Sequence, residues 1–485
     1  MAYSGLREFI ERLDKAGELK KVKAQVSADL EICEIANRVM KSPGGGKGLL
    51  FENVAGSPFP LAINLFGSRK RMSWALGVDD IDEIGAEIGN LVKLPGNMPR
   101  GIGGMIGLAP TLLPLASIGP KMVSNAPCQE VVKTGAKASL DEIPILTCWP
   151  GDGGPFITLP LVFTKEAATG KRNVGMYRIQ KYDAHTTGMH WQRHKVGSRH
   201  YAEYESQGRD IPVAIVLGCD PAVTYAATAP LPDDIDEILF AGFLRKKAVE
   251  MVKCKTIDIE VPADAEFVIE GVVPANLRRR EGPFGDHTGY YSLADDYPVF
   301  NVTAITHRKH PVYPATIVGP PPMEDHWLGK ATERIFFPLV KMILPEIIDY
   351  NLPVEGAFHN LALVRIRKRY PGHAYKVMSA LWGLGQMMFT KCIIVVDEDV
   401  DVQNPGEVVW RVLANIDPQR DTMFSRGPID VLDHASPTMA FGSKMGIDAT
   451  RKWPEEGFAR EWPDVLTMSD DVKKRVDALW PKLGL

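Results

Sequence analysis

Cysteine is sparse in this chain, and what there is lies scattered: Cys33, Cys128, Cys148, Cys219, Cys254 and Cys392 form no C-x-x-C pair. That spacing argues against both a zinc knuckle and a disulfide framework, and it fits reduced, cytoplasmic surroundings. Charge of one sign is lacking too. A formal net charge of −4 over 485 residues gives no broad basic field, so an extended nucleic-acid footprint is excluded and small molecules are the better partners. No G-x-S-x-G elbow, H-E-x-x-H pair or G-x-x-x-x-G-K-[ST] loop occurs, which weakens hydrolase, metalloprotease and P-loop readings. There are no repeats or low-complexity tracts, and the N-terminus, with acids throughout, is unlike a signal or transit peptide.

Long apolar runs are also rare. The one exception, "GIGGMIGLAPTLLPLASIGP" between Arg100 and Lys121, is broken by Pro110, Pro114 and Pro120, which spoil a spanning helix. It reads as a buried or interface loop, with a greasy lid or peripheral contact at the inner membrane as the alternative. Gly101, Gly103 and Gly107 miss the dinucleotide spacing by one residue, and no strand leads into them.

What is present suits a large cofactor-burying protein. With 45% apolar and 24% charged residues, two to four domains with substantial cores are expected. Residues 1–124 read as an N-terminal α/β domain. It opens with a helix that has Ser4 as candidate cap, Leu6, Phe9, Ile10 and Leu13 on one face and Gly17 as stop. The strands "GLLFEN" and "PLAINLF" and a helix around Ile81–Leu91 follow. Strand patterns dominate residues 125–320, among them "PVAIVLG", "EFVIEGVV" and "VFNVTAIT", which suggests a β-barrel-like centre. Residues 321–485 turn to helical patterns around the buried-type strand "CIIVVD", a C-terminal α/β domain. Its last helix, after Ser469, sets Val472, Val476, Leu479 and Trp480 on one face, which suits packing on another domain or subunit.

Three stretches carry chemistry. "EGPFGDHTGYY" (281–291) holds Glu281 and Asp286 around a Pro and a Gly, beside Arg278, Arg279 and Arg280. Such a segment is ordinarily a surface turn, but its strand-like flanks allow acids to be held rigidly. "RNVGMYRIQKYDAHTTGMHWQRHKVGSRHY" (172–201) crowds four histidines among basic residues. It reads either as an exposed basic hairpin or as an anion site, in which Arg178, His190 and Lys195 suit a phosphate or carboxylate. "PLPDDIDEILFAGFL" (230–244) places Asp233, Asp234, Asp236 and Glu237 at the start of a helix. The helix dipole alone accounts for most of these acids, yet one turned toward Asn173 and His194 makes an O,N,O set suited to Mn²⁺ or Mg²⁺.

On these stretches, with "NVGMYR", "HWQRHK", "VKC" and the C-terminal "SKMGIDATRKWP", nearly the whole chain resembles the UbiD family of reversible, non-oxidative decarboxylases. The resemblance implies an α/β (α+β) chain with a central split β-barrel domain that binds prenylated FMN. It implies Mn²⁺ on Asn173, His194 and Glu237, with a monovalent K⁺ or Na⁺ nearby. Met176, Tyr177, Arg178, His190, Trp191, Gln192, Lys195 and Val196 are then flavin contacts, and Arg178, Glu281 and Asp286 the catalytic set. A flavin prenyltransferase as cofactor supplier and assembly as a dimer or hexamer belong to the same expectation. Losing CO₂ from an aromatic ring leaves an sp² carbanion that no side chain stabilises, so an electron sink is needed. An Asp near its ordinary pKa of about 3.9 is a poor donor at neutral pH, so burial and Glu281 are expected to raise Asp286.

The substrate class follows less directly. "GIDATRKWPEEG" and "LGKATERIFFPL" look closest to the branch acting on dihydroxynaphthoate-type acids in quinone biosynthesis. A 3-polyprenyl-4-hydroxybenzoate decarboxylase and a soluble phenolic-acid decarboxylase are the alternatives. A flavin-binding protein without catalysis is the reading from a different class, and the intact trio Arg178, Glu281 and Asp286 argues against it.

Overall fold

The computed structural model describes residues 2–93, 117–192, 195–233 and 235–484. The apolar stretch read from Gly101 to Pro120 lies outside them up to residue 116, as do His194 and Asp234.

The opening helix, Leu6–Lys15, buries Leu6, Phe9, Ile10 and Leu13 as their spacing predicts. Its cap differs from expectation. Gly5 is the N-cap and no side chain caps it, while Ser4 donates its backbone N–H to Glu8 Oε2 at 2.6 Å. Four strands form the first sheet in the order Leu19–Val22, Gly48–Phe51, Leu61–Ile63, Tyr313–Ala315. The last of these arrives from the far end of the strand-rich region and pairs parallel to Leu61–Ile63.

The central sheet has ten strands, and its spine is the thirteen-residue strand Asp295–His307. Thr186–Met189 and Phe267–Val273 flank it along the main path, and Arg278–Glu281 and Val131–Thr134 pair with it besides. The sheet is split rather than closed, in keeping with the split-barrel expectation. The strand path runs from Phe156–Ile157 to Arg172–Gly175, and among the described residues those two ends do not pair. A register shift between Glu270 and Gly271 bends the sheet. Gly271 is required there, since a Cβ would sit 2.1 Å from the Asn301 carbonyl oxygen.

The neighbouring strand Ile211–Leu217 reads as an unbroken apolar run because both of its faces are covered. Ala214 and Val216 join the core shared with the opening helix, while Ile211, Val213, Ile215 and Leu217 join the core on the opposite face. Each such aliphatic side chain, fully buried, contributes roughly 1.5–3 kcal/mol of hydrophobic stabilisation.

The third sheet runs Ile347–Asn351, Leu361–Ile366, Cys392–Val396, Phe441–Asp448, Thr422–Pro428, with parallel pairing at its centre and antiparallel edges. Leu344 ends the helix Asp325–Ile343 because it precedes Pro345, which disfavours the helical backbone. The residues beyond, inside the region whose sequence turns to helical patterns, become the edge strand Ile347–Asn351. The last helix, Asp470–Leu479, buries none of its residues.

Candidate functional site

Ile179–Lys181 turns back antiparallel onto Thr186–Met189, and these two strands carry Arg178 and His190 at their ends. The strand Arg278–Glu281 delivers Glu281 to the same place. Arg178 engages Glu281 with two parallel hydrogen bonds, Nε to Oε1 at 2.9 Å and Nη2 to Oε2 at 3.1 Å. Its Nη1 donates to Asp286 Oδ2. A single guanidinium therefore joins the two acids of the 281–291 motif, and the Phe284 ring lies 4.8 Å from it.

The turn is rigid for identifiable reasons. Gln180 Oε1 accepts from Gly282 N–H at 2.8 Å while its Nε2 donates to the Gly153 carbonyl at 2.7 Å. Asp152 accepts from Gly285 N–H at 2.7 Å and from Trp149 N–H at 2.9 Å. Gly153 allows this close approach, since a Cβ there would lie 2.2 Å from the Gly282 oxygen.

Burial and charge act against each other here. Glu281 is 0% and Asp286 8% exposed. Burial pushes the Glu281 carboxyl up, but hydrogen bonds from His190 and Arg178, with the charge of Arg178, more than offset it and leave it below the ordinary value. The expected rise at Asp286 does not occur. Burial does push it up, yet the hydrogen bond and charge of His287 and the charge of Arg178 hold it well below the carboxylate range. Asp286 is thus ionised in the ligand-free protein. His190, pushed below its ordinary value mainly by burial, donates from Nδ1 to Glu281 Oε2 at 3.1 Å.

The other residues singled out in sequence fall into two groups. Tyr177 and Trp191 have their side chains in the core, where Gly175 and Gly197 make room for them. Met176, Gln192 and Val196 are half-buried, and Lys195 is exposed at the start of the helix Val196–Ser206. Glu237 opens the helix Glu237–Arg245, and its Oε2 accepts from Val174 N–H at 3.0 Å, beside buried Asn173 in the chain. Asp236 caps that helix through Ile238 N–H and binds Arg172. Asp233 pairs instead with Arg199.

Burial pushes Glu237 up to about 7, and the Asn173 amide nitrogen has no partner among the described residues. A half-buried carboxylate whose nearby cation, Arg172, is engaged by Asp236, with a side-chain amide oxygen available at Asn173, fits a hard divalent cation. Among the described residues, no group of three or more His, Cys, Asp or Glu is arranged to hold a metal. The structure also brings His287, His359 and Tyr297 to this cluster, beyond the residues the motifs point to. His287 stood inside the quoted motif, whereas His359 carries no local signal at all.

Three family profiles match the chain in order. They are described as the N-terminal, Rift-related and C-terminal domains of 3-octaprenyl-4-hydroxybenzoate carboxy-lyase, and they cover residues 10–88, 121–321 and 326–449. An uncharacterised protein of Archaeoglobus fulgidus is 51% identical over 100% of this chain and 99% of its own length. Another, from Aquifex aeolicus, is 50% identical with the same coverage. Among solved structures, the vanillic acid decarboxylase of Sedimentibacter hydroxybenzoicus in its closed form matches with a TM-score of 0.85 and 27% identity over 100% of this chain and 99% of that one. The UbiD-class enzyme HmfF of Pelotomaculum thermopropionicum in complex with FMN matches with a TM-score of 0.81 and 29% identity, covering 98% of this chain and 99% of its own. An evolved dimeric form of that enzyme, in complex with prFMN, has a TM-score of 0.78 and 29% identity over 95% of this chain and 97% of that one.

Proposed function

The chain belongs to the UbiD family of carboxy-lyases, and from that membership we propose that it catalyses the reversible, non-oxidative decarboxylation of an aromatic carboxylic acid with prenylated FMN. The observation that carries this reading is the buried Arg178 fork joined to both Glu281 and Asp286. Flavin binding alone does not need two acids held on one guanidinium.

When bound, the prenylated flavin supplies the electron sink that loss of CO₂ from a ring requires. The chain's own residues supply the rest. Arg178 orients the substrate carboxylate and keeps Glu281 ionised, and Glu281 in turn fixes the angle of the guanidinium. Asp286 delivers the proton to the vacated carbon. Met176, Gln192, Lys195 and Val196 are assigned to the flavin, and Asn173 and Glu237 to Mn²⁺, with His194 as third ligand. Tyr177 and Trp191 shape the wall behind them.

Within this class, the substrate we propose is a dihydroxynaphthoate-type acid of quinone biosynthesis, supported by the "GIDATRKWPEEG" stretch. Likeness to a vanillic acid decarboxylase supports a second reading, a phenolic acid. The test is co-expression with a flavin prenyltransferase, mass spectrometry of the bound flavin, and a CO₂-release screen over both classes of acid. Loaded flavin with no CO₂ from any aromatic acid overturns the proposal.

A further inference from the structure

Asp286 faces two basic side chains rather than one. Arg178 occupies its Oδ2, while Oδ1 accepts from the backbone N–H of His287 at 2.8 Å and from His287 Nδ1 at 2.9 Å. On the far side of the same ring, His287 Nε2 lies 2.8 Å from His359 Nε2. Two imidazole nitrogens at that distance share one proton, because one ring must donate and the other accept. A carboxylate only accepts, so His287 carries a proton on Nδ1; a second on Nε2 makes it an imidazolium.

The surroundings favour that state. The Phe358 ring stacks on His287 with centroids 5.4 Å apart and holds its plane. The charged groups facing the pair are Asp286, with Arg178 across it, then Asp325, Asp430 and Asp433. Burial lowers His287, but the hydrogen bond and charge of Asp286 outweigh it and raise the ring above its ordinary value. His359 is pushed down to about 4 by burial and by the charge of His287.

Resting on the decarboxylase reading above, we propose that His287, held by His359, is the proton reservoir for Asp286. When a substrate carboxylate engages Arg178, the His287 Nδ1–H bond breaks with its electron pair left on nitrogen, and the proton forms an O–H bond on Asp286 Oδ1. That O–H then breaks with its pair left on oxygen, and the proton joins the carbon through the electron pair that departing CO₂ left behind. His287 is now a neutral imidazole still donating from Nε2 to His359. Its side chain is 20% exposed, and in this proposal a proton taken up from water restores the imidazolium before the next turnover. His287 acts through Asp286 and is a positioning and supplying residue.

The experiment has two arms. In the first, histidine ring nitrogens are labelled in the flavin-free protein and titrated by NMR. His287 should titrate above the ordinary imidazole value while His359 stays neutral, and His359→Leu should lower the His287 midpoint while His359→Asn, which keeps an acceptor, restores part of it. Independent titration of the two rings overturns the proposal. In the second arm, His287→Gln in the flavin-loaded enzyme should lower kcat by about 10²-fold, the scale of a general acid–base contribution. The pH dependence due to His287 should vanish, added imidazole should recover turnover, and flavin content should be unchanged. Turnover within twofold of the parent overturns the reservoir and leaves the decarboxylase reading standing. If the parent enzyme itself releases no CO₂, the decarboxylase reading fails and the reservoir role falls with it, whatever the titration shows.

Discussion

The rings of His190 and Tyr297 lie 4.3 Å apart, centroid to centroid, tilted by 33°, and this contact aims the His190 Nδ1–H at Glu281. His190→Phe keeps a ring against Tyr297 and removes the donor. A hydrogen bond to a buried charge contributes about 1.5–3 kcal/mol, so urea unfolding should show a loss of that size, and activity should decline at a higher pH on the acid side. An unchanged unfolding midpoint would mean that Arg178 alone holds Glu281.

The same cluster predicts how stability depends on pH. Glu281 and Asp286 lie below their ordinary values, so their contribution is complete above about pH 4.5 and is lost as pH falls further. His287 lies above its ordinary value, so its contribution is complete below about pH 6.5 and is lost as pH rises through its folded-state value. The cluster is therefore most stabilising between those limits. Thermal melts of the ligand-free protein should show a more stable window there than an Asp286→Asn variant shows.

Asp286→Asn preserves size but cannot donate a proton. Flavin and metal should remain bound while turnover falls by roughly 10²- to 10⁴-fold. Glu281→Gln should be severe through another route, because it leaves Arg178 without its bidentate partner at a fully buried position. Breaking one side of a buried ion pair costs about 3–5 kcal/mol, so this variant should also unfold at lower urea. Near-normal turnover of Asp286→Asn would move the donor role elsewhere.

Glu237→Ala removes the half-buried carboxylate assigned to the metal with Asn173. Elemental analysis should find Mn²⁺ gone, and the visible flavin spectrum should fade with it. Retention of both would return Glu237 to an ordinary first-turn acid of its helix.

Trp480, Leu479 and Val476 of the C-terminal helix are exposed, and a second copy of the chain is the partner proposed for that face. Light scattering should give a dimer or hexamer. Deleting the chain after Ser469 should shift the mass downward, and a parent species at the monomer mass of 53.5 kDa would exclude this assembly.

Periodicity made the opening helix legible, since Leu6, Phe9, Ile10 and Leu13 announce a single buried face. The apolar run of Ile211–Leu217 likewise announced a strand, and the structure adds that both its faces are covered. Glu281 and Asp286 were legible as a pair because they share one short turn, whereas Arg178, 103 residues from Glu281, was joined to them only by the family resemblance of its own motif. His359 was not, since its partner His287 is seventy-two residues away in the chain and nothing near it is patterned. The ionisation of Asp286 runs against its sequence setting for a related reason: burial is readable from apolar flanks, but the direction in which His287 Nδ1 points is not. Nor does strand content reveal where a sheet bends, because that depends on close backbone approaches such as that at Gly271.

The strand Tyr313–Ala315 has a bearing on biosynthesis. It completes a sheet whose other members are all made within the first 63 residues. Until the ribosome has passed Ala315, the edge of Leu61–Ile63 has its hydrogen-bonding groups open along a short, wholly buried-type sequence. N-terminal segments generally fold first during synthesis, yet this one stays unfinished while the entire central sheet is being made. A nascent chain stalled before that point offers an unpaired apolar edge to chaperones, and a fragment ending there has no independent route to a closed N-terminal sheet.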